Sequence, residues 1–128
     1  MKRVMCMIGI LSVTACVAPP TRYVWGRYED SLYNYYADAS KADDLIKALA
    51  EATTAGDASG KTAPGLHAEY GYMLLSAGRS ADAVAEFEKE RSIWPESRTL
   101  MDKMITSAPT SNKKPVAPPT TPSTKTGT

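Results

Sequence analysis

The sequence predicts an all-α domain: a short array of two helical hairpins closed by a fifth, capping helix, with a disordered carboxy-terminal tail. Three observations carry this. Apolar residues recur at helical spacing in five separate stretches. Gly, Pro and Ser punctuate those stretches where helices start and stop. No stretch shows the Val, Ile and Thr alternation of a strand; Phe occurs once and Tyr seven times.

The chain has 128 residues. Lys2 and Arg3 precede an apolar run over 4–13, too short to span a bilayer and ordered like a secretory signal. The run ends in Leu11-Ser12-Val13-Thr14-Ala15-Cys16. This resembles the lipobox of bacterial lipoproteins, which implies cleavage after residue 15 and acylation of Cys16. Val17 follows the cysteine. Inner-membrane retention in such lipoproteins is typically signalled by Asp there, so the resemblance implies the outer membrane, facing the periplasm. Several acyl chains bury enough methylenes, at ~0.8 kcal/mol each, for stable anchoring. Cys6 leaves with the signal, so no free thiol or disulfide is expected in the mature chain.

Four segments follow: a signal peptide at 1–15, a lipidated tether at 16–22, a helical-repeat domain at 23–106 and a Pro/Thr/Lys tail at 107–128. The tether contains Pro19 and Pro20 and reaches at most about 20 Å, which holds the domain close to the membrane. Tether and domain together carry ten basic and fourteen acidic residues, net −4, while the tail has three lysines and no acid. An acidic body excludes the basic footprint that nucleic-acid binding requires.

In the first pair, Trp25, Tyr28, Leu32 and Tyr36 form one stripe. Ser40 is expected to open the second helix, with Asp43 as its capping partner. Leu45, Ile46 and Leu49 form the buried face, and Gly56 and Gly60 end the helix. In the second pair, Leu66, Tyr70, Met73, Leu74 and Ala77 form the first stripe. Gly78 makes the turn, Ser80 is expected as N-cap, and Ala83, Val84, Phe87 and Trp94 form the second stripe before Pro95. Leu100, Met101, Met104 and Ile105 are expected to cap the open end of the stack.

The second pair resembles a tetratricopeptide repeat. His67, Tyr70, Gly71 and Leu74 occupy the places of that motif's large residue, Leu-Gly pair and Tyr; Ala83, Phe87 and Pro95 occupy those of its small residue, aromatic and proline. Gly71 and Ala83 would let two backbones approach, with Phe87 between them. A shift of 42 residues lays Trp25, Tyr28, Leu32 and Leu45 on His67, Tyr70, Leu74 and Phe87, a degenerate first repeat. The run from Trp25 to Tyr33 after a lipobox is also similar to a family of small Gram-negative lipoproteins of uncharacterised role. Members are often encoded beside a lipoprotein like the curli secretion pore.

That resemblance implies an accessory role in envelope assembly or secretion, with an envelope protein such as the curli-pore-like lipoprotein as partner. In tetratricopeptide-like arrays the first helix of each pair lines a groove. Asp30, Tyr33 and Asn34 are expected there from the first pair, and Ala68, Tyr72, Leu75 and Ser76 from the second.

No catalytic set is legible. His67 is the single histidine and is expected to pack between helices. Glu86, Glu88 and Glu90 are expected to form a solvated face among Lys89 and Arg91. No phosphate loop or serine elbow appears. The expectation is a non-enzymatic protein without cofactor or metal: a protein-interaction module, or alternatively an envelope spacer whose basic tail touches the cell wall.

Overall fold

A computed structural model describes residues 20–108. The signal, Cys16 and the tail from 109 onward lie outside the described residues. The rest is all-α: α1 (Tyr28–Ala37), α2 (Ala42–Ser59), α3 (Leu66–Ser76), α4 (Ser80–Ile93) and α5 (Arg98–Ser107). Short 3-10 turns at Ala39–Lys41 and Pro95–Ser97 join α1 to α2 and α4 to α5. There is no strand among the described residues.

Each helix packs on its neighbour in sequence, giving two hairpins, α1–α2 and α3–α4, with α5 against α4. Such short connections make successive helices antiparallel. The odd-numbered helices therefore run in one sense. The core divides in two. Tyr35, Leu45, Leu49, Ala52, Ala63, Leu66 and Met73 fill the space among α1, α2 and α3. Leu74, Ala83, Phe87, Met101 and Ala108 fill that among α3, α4 and α5. α3 contributes to both, which makes it the central element.

The α3–α4 turn has a clear chemical cause. Gly78 adopts φ +78°, a left-handed conformation that a side chain resists. Arg79 N–H then reaches the Leu74 carbonyl at 2.9 Å and Gly78 N–H the Leu75 carbonyl at 3.0 Å, so the last carbonyls of α3 are satisfied in a Schellman motif. Below the turn, α3 and α4 touch at Gly71. A Cβ placed there would lie 2.5 Å from Phe87 Cε1 and 3.0 Å from the Ala83 carbonyl oxygen. Only glycine admits this approach.

Several local expectations are corrected. α1 begins at Tyr28 rather than Trp25, because Gly26 turns the chain at φ +56°. Its buried stripe is Tyr28, Ser31, Leu32 and Tyr35, while Tyr36 is exposed. The two choices differ by a rotation of one residue, and contact with α2 decides between them. Ser40 lies within the 3-10 turn, and it is the Asp38 carboxylate that accepts the Ser40 N–H. Ser80 is the first residue of α4, with Arg79 at the N-cap position. Ala77 and Leu100 are exposed; α5 instead buries Met101, with Met104 and Ile105 half-buried and Ala108 buried just past its end, an i, i+3, i+4, i+7 stripe. Trp94 lies just past α4.

Gly56 does not end α2. It lies inside the helix, buried, where the following loop folds back. Gly60 makes the actual stop in the left-handed region. A Cβ at Gly56 would come within 2.8 Å of Thr62 Oγ1 and 2.9 Å of Thr62 Cα. Gly56→Ala gains up to ~1 kcal/mol in helix propensity. The clash with backbone costs about 1–3 kcal/mol and wins. The expected result is a lower melting temperature in a thermal scan; an unchanged or higher one would show that the loop moves away freely.

The amino-terminal segment is tied to the same loop. Val24 N–H donates to the Lys61 carbonyl at 3.0 Å. Tyr28 stacks on Trp25, Trp25 meets Tyr23 edge-on, and Tyr23 meets Trp94 edge-on, with centroids 5.7, 6.2 and 6.4 Å apart. This line of rings straps the first hairpin to the end of the second.

Candidate functional site

Two features stand out. The first is a buried charge cluster where the α2–α3 loop crosses α4. His67, in the first turn of α3, has no exposed surface. Its Nδ1 lies 2.6 Å from Glu86 Oε2 and its Nε2 3.0 Å from Asp57 Oδ1. Thr62 donates its hydroxyl to the same Asp57 oxygen at 2.7 Å, and Lys89 donates to Glu86 Oε1 at 2.9 Å. An ionised carboxylate only accepts, so His67 donates from both nitrogens as an imidazolium. Burial pushes its pKa down, but the hydrogen bonds and charges of Glu86 and Asp57 outweigh this and raise it. Burial likewise pushes both carboxyls up. Thr62 and His67 bring Asp57 below its ordinary value, and His67 and Lys89 do so for Glu86.

The solvated glutamate face is therefore corrected. Glu86 and Glu90 are buried and only Glu88 is exposed. Glu90 accepts the Gly65 N–H at 2.7 Å and the Ser97 hydroxyl at 3.1 Å, joining the α2–α3 loop to the turn after α4. Glu86 and Glu90 share one face at i, i+4 spacing. That face meets the loop and the start of α3 instead of water, and these supply the Gly65 N–H and His67 as partners. Nothing in the local sequence signals this.

Chemically the cluster clamps. Both imidazole nitrogens and the Thr62 hydroxyl are committed to carboxylates, so no free base faces a free nucleophile. Among the described residues no three His, Cys, Asp or Glu side chains converge as a metal site. A cleft of about 330 Å³ beside Asp57, Gly60, Thr62 and Ile93 opens at its edge.

The second feature is a tyrosine-lined face along α1 and α3. Tyr28 donates its hydroxyl to Glu69 Oε2, linking the first turns of the two helices. Burial, then the Glu69 carboxylate, push the Tyr28 pKa well up, with Tyr36 and Glu29 adding to it. Burial also raises Tyr35, with Tyr72 and Tyr36 as the neighbouring groups. Tyr36 lies against Tyr35 at 5.9 Å between ring centroids. The hydroxyls of Tyr28, Tyr35, Tyr36 and Tyr72 thus gather along one seam. Tyr36 is 56 % exposed and Tyr72 37 %, which leaves both rings reachable.

Of the residues expected to line a groove, Ala68, Leu75 and Ser76 are half-buried and flank Tyr72 on α3. Asp30 and Asn34 are exposed on α1, and Tyr33 is 75 % exposed. Five residues of helix place Tyr33 about 140° around α1 from Tyr28, whereas Tyr36 stands about 80° from it. Glu69, which the sequence did not place here, and Tyr36, expected beside Tyr28 on a buried stripe but exposed, are the ones that adjoin Tyr28. The spacing of eight between Tyr28 and Tyr36 was the available signal.

Comparison with curated proteins and with solved structures returns no match. The profile of a family described as Domain of unknown function (DUF4810) matches residues 22–104. That span runs from the aromatic strap through the charge cluster and the tyrosine seam into α5, and the chain belongs to the DUF4810 family.

Proposed function

We propose that the protein is a lipid-anchored accessory factor of the outer membrane, facing the periplasm, and that it works by binding another polypeptide rather than by catalysis. The observation that carries this reading is the seam of tyrosines on the first helices of the two hairpins. Tyrosine offers large contact area at small entropic cost and suits recognition surfaces. Repeat character supports it: the interlock of Gly71, Ala83 and Phe87 is the contact that a tetratricopeptide-like pair requires. The signal and Cys16 support the anchor, and the commitment of His67 to a clamp supports a non-enzymatic role. The partner in view is an envelope protein such as a curli-pore-like lipoprotein.

The test has two arms. Cys16→Ser abolishes incorporation of labelled palmitate and lets the protein extract into buffer without detergent; retained label in the variant would refute the anchor. Photo-cross-linkers at Tyr33 and Tyr72 in the lipidated protein report the partner. A single adduct from Tyr72 that is outcompeted by unlabelled protein supports the reading, and capture of no specific protein from folded, lipidated chain overturns it.

A further inference from the structure

Each wall of the seam joins an acid to a tyrosine. On α3, Glu69 and Tyr72 are three residues apart and share a face. On α1, Glu29 and Tyr36 are seven apart, two turns along one face. Tyr28 ties the helices together by donating its hydroxyl to Glu69 Oε2. Glu29 lies close enough to raise Tyr28, so the two carboxylates share one end of the seam. Tyr36 and Tyr72 are both open to solvent.

The helical body does not answer these acids with a cation of its own. α1 and α3 contain no lysine or arginine, and their one histidine, His67, is committed to Glu86 and Asp57. Arg27, just before α1, turns to Glu51 of α2 at 3.8 Å. Among the described residues neither Glu29 nor Glu69 belongs to an ion pair. Glu69 is half-buried, and a carboxylate partly withdrawn from water gains from a charged donor. The Tyr28 hydroxyl takes one oxygen of Glu69 and leaves Oε1 able to accept.

The complement of such a wall is a cation with a flat face. A lysine ammonium is a compact, strongly hydrated point charge. An arginine guanidinium is planar and more weakly hydrated, forks onto a carboxylate and stacks on an aromatic ring. We propose that the α1–α3 seam binds an arginine-bearing segment of a partner polypeptide, one guanidinium bonded to Glu69 and stacked on Tyr72. This rests on the seam being a docking surface and names the chemistry of what docks there. Glu69 and Tyr72 stand about 4.5 Å apart along the axis of α3, a span one guanidinium covers. Glu29 and Tyr36 stand about 10.5 Å apart along α1, so they meet separate parts of the segment, Glu29 a second basic residue and Tyr36 an apolar one. The net −4 of tether and domain adds long-range attraction for a basic partner.

The experiment follows the ring signals of the seven tyrosines by NMR in the full lipidated chain, labelled with carbon-13 tyrosine and held in micelles. The probes are blocked tri-arginine, tri-lysine and tri-citrulline peptides. Tri-arginine is expected to shift Tyr28, Tyr36 and Tyr72 saturably and to leave Tyr23, in the strap against Trp94, in place. Tri-lysine should bind several-fold more weakly, and tri-citrulline, which keeps the shape without the charge, should not bind. Glu69→Gln still accepts the Tyr28 hydroxyl, so the helices stay joined; it weakens tri-arginine at least about tenfold, the loss of a charge-assisted hydrogen bond. No saturable shift, equal binding of tri-lysine and tri-arginine, or an unchanged affinity in Glu69→Gln overturns the proposal. Shifts of the same rings on raising the protein concentration without peptide make a second copy the occupant and overturn it as well. If tri-arginine fails while the Tyr72 cross-linker still captures a competed partner, the seam stands as a docking surface and only the arginine chemistry is wrong.

Discussion

Phe87→Ala removes about 3–5 kcal/mol of stability, the usual loss for a fully buried Phe whose site cannot collapse. The ring has no exposed surface and fills the second core between Gly71, Ala83 and the α5 side chains. Collapse is resisted because α3 and α4 already touch backbone to side chain at Gly71. A domain of this size has a total stability of about 4–13 kcal/mol. Chemical denaturation of Phe87→Ala should thus show a large fall in midpoint or a chain unfolded at 37 °C. A sharper form adds Gly71→Ala. Alone, that methyl meets the Phe87 ring at 2.5 Å. Beside the hole left by Phe87→Ala it has room, so the double variant is more stable than the sum of the two losses by about 1–3 kcal/mol. Simple additivity would mean that Gly71 and Phe87 do not constrain each other, and the interlock of the second hairpin would have to be abandoned.

This interlock was legible in the sequence because its parts are local: a small residue on each helix, Gly71 and Ala83, and one ring, Phe87, between them. The five helices were legible for a similar reason, since period and punctuation are local properties. The phase of a short helix was less so. Tyr35 and Tyr36 are equal candidates by composition, and only the position of α2 buries one and frees the other. That single rotation moves Tyr36 into the seam and places Tyr33 away from it.

The charge cluster was not legible at all. His67 meets Glu86 nineteen residues away and Glu90 meets the Gly65 N–H at a separation of twenty-five. Hydrophobic patterning registers a buried Glu as surface, because it weighs residue type and not the partner that makes burial tolerable. Gly56 was misread by the same logic: its role is to receive Thr62 from the folded-back loop, and glycine in a sequence signals a stop as readily as a close approach.

His67→Leu costs about 2–4 kcal/mol, less than the loss for breaking a fully buried pair because Asp57 remains partly exposed and Glu86 retains Lys89. Leucine fills the space but leaves two carboxylates facing each other across it without the cation between them. The pH dependence identifies the mechanism. Asp57 and Glu86 have lowered pKa values in the folded protein, so their contribution is present above their unfolded values near 4 and is lost as pH falls through the folded ones. His67 has a raised pKa, so its contribution is complete below its unfolded value near 6.5 and is lost as pH rises through the folded one. The gap between native protein and His67→Leu is therefore widest between about pH 4.5 and 6.5 and narrows on both sides. Urea midpoints taken across pH 3–9 read it directly. A gap that stays constant with pH would mean that His67 acts by volume alone, as any buried residue does. Adding Glu86→Gln to His67→Leu should then recover part of the loss at neutral pH, since one of the two stranded charges is gone, and a further loss instead would show that Glu86 is held chiefly by Lys89.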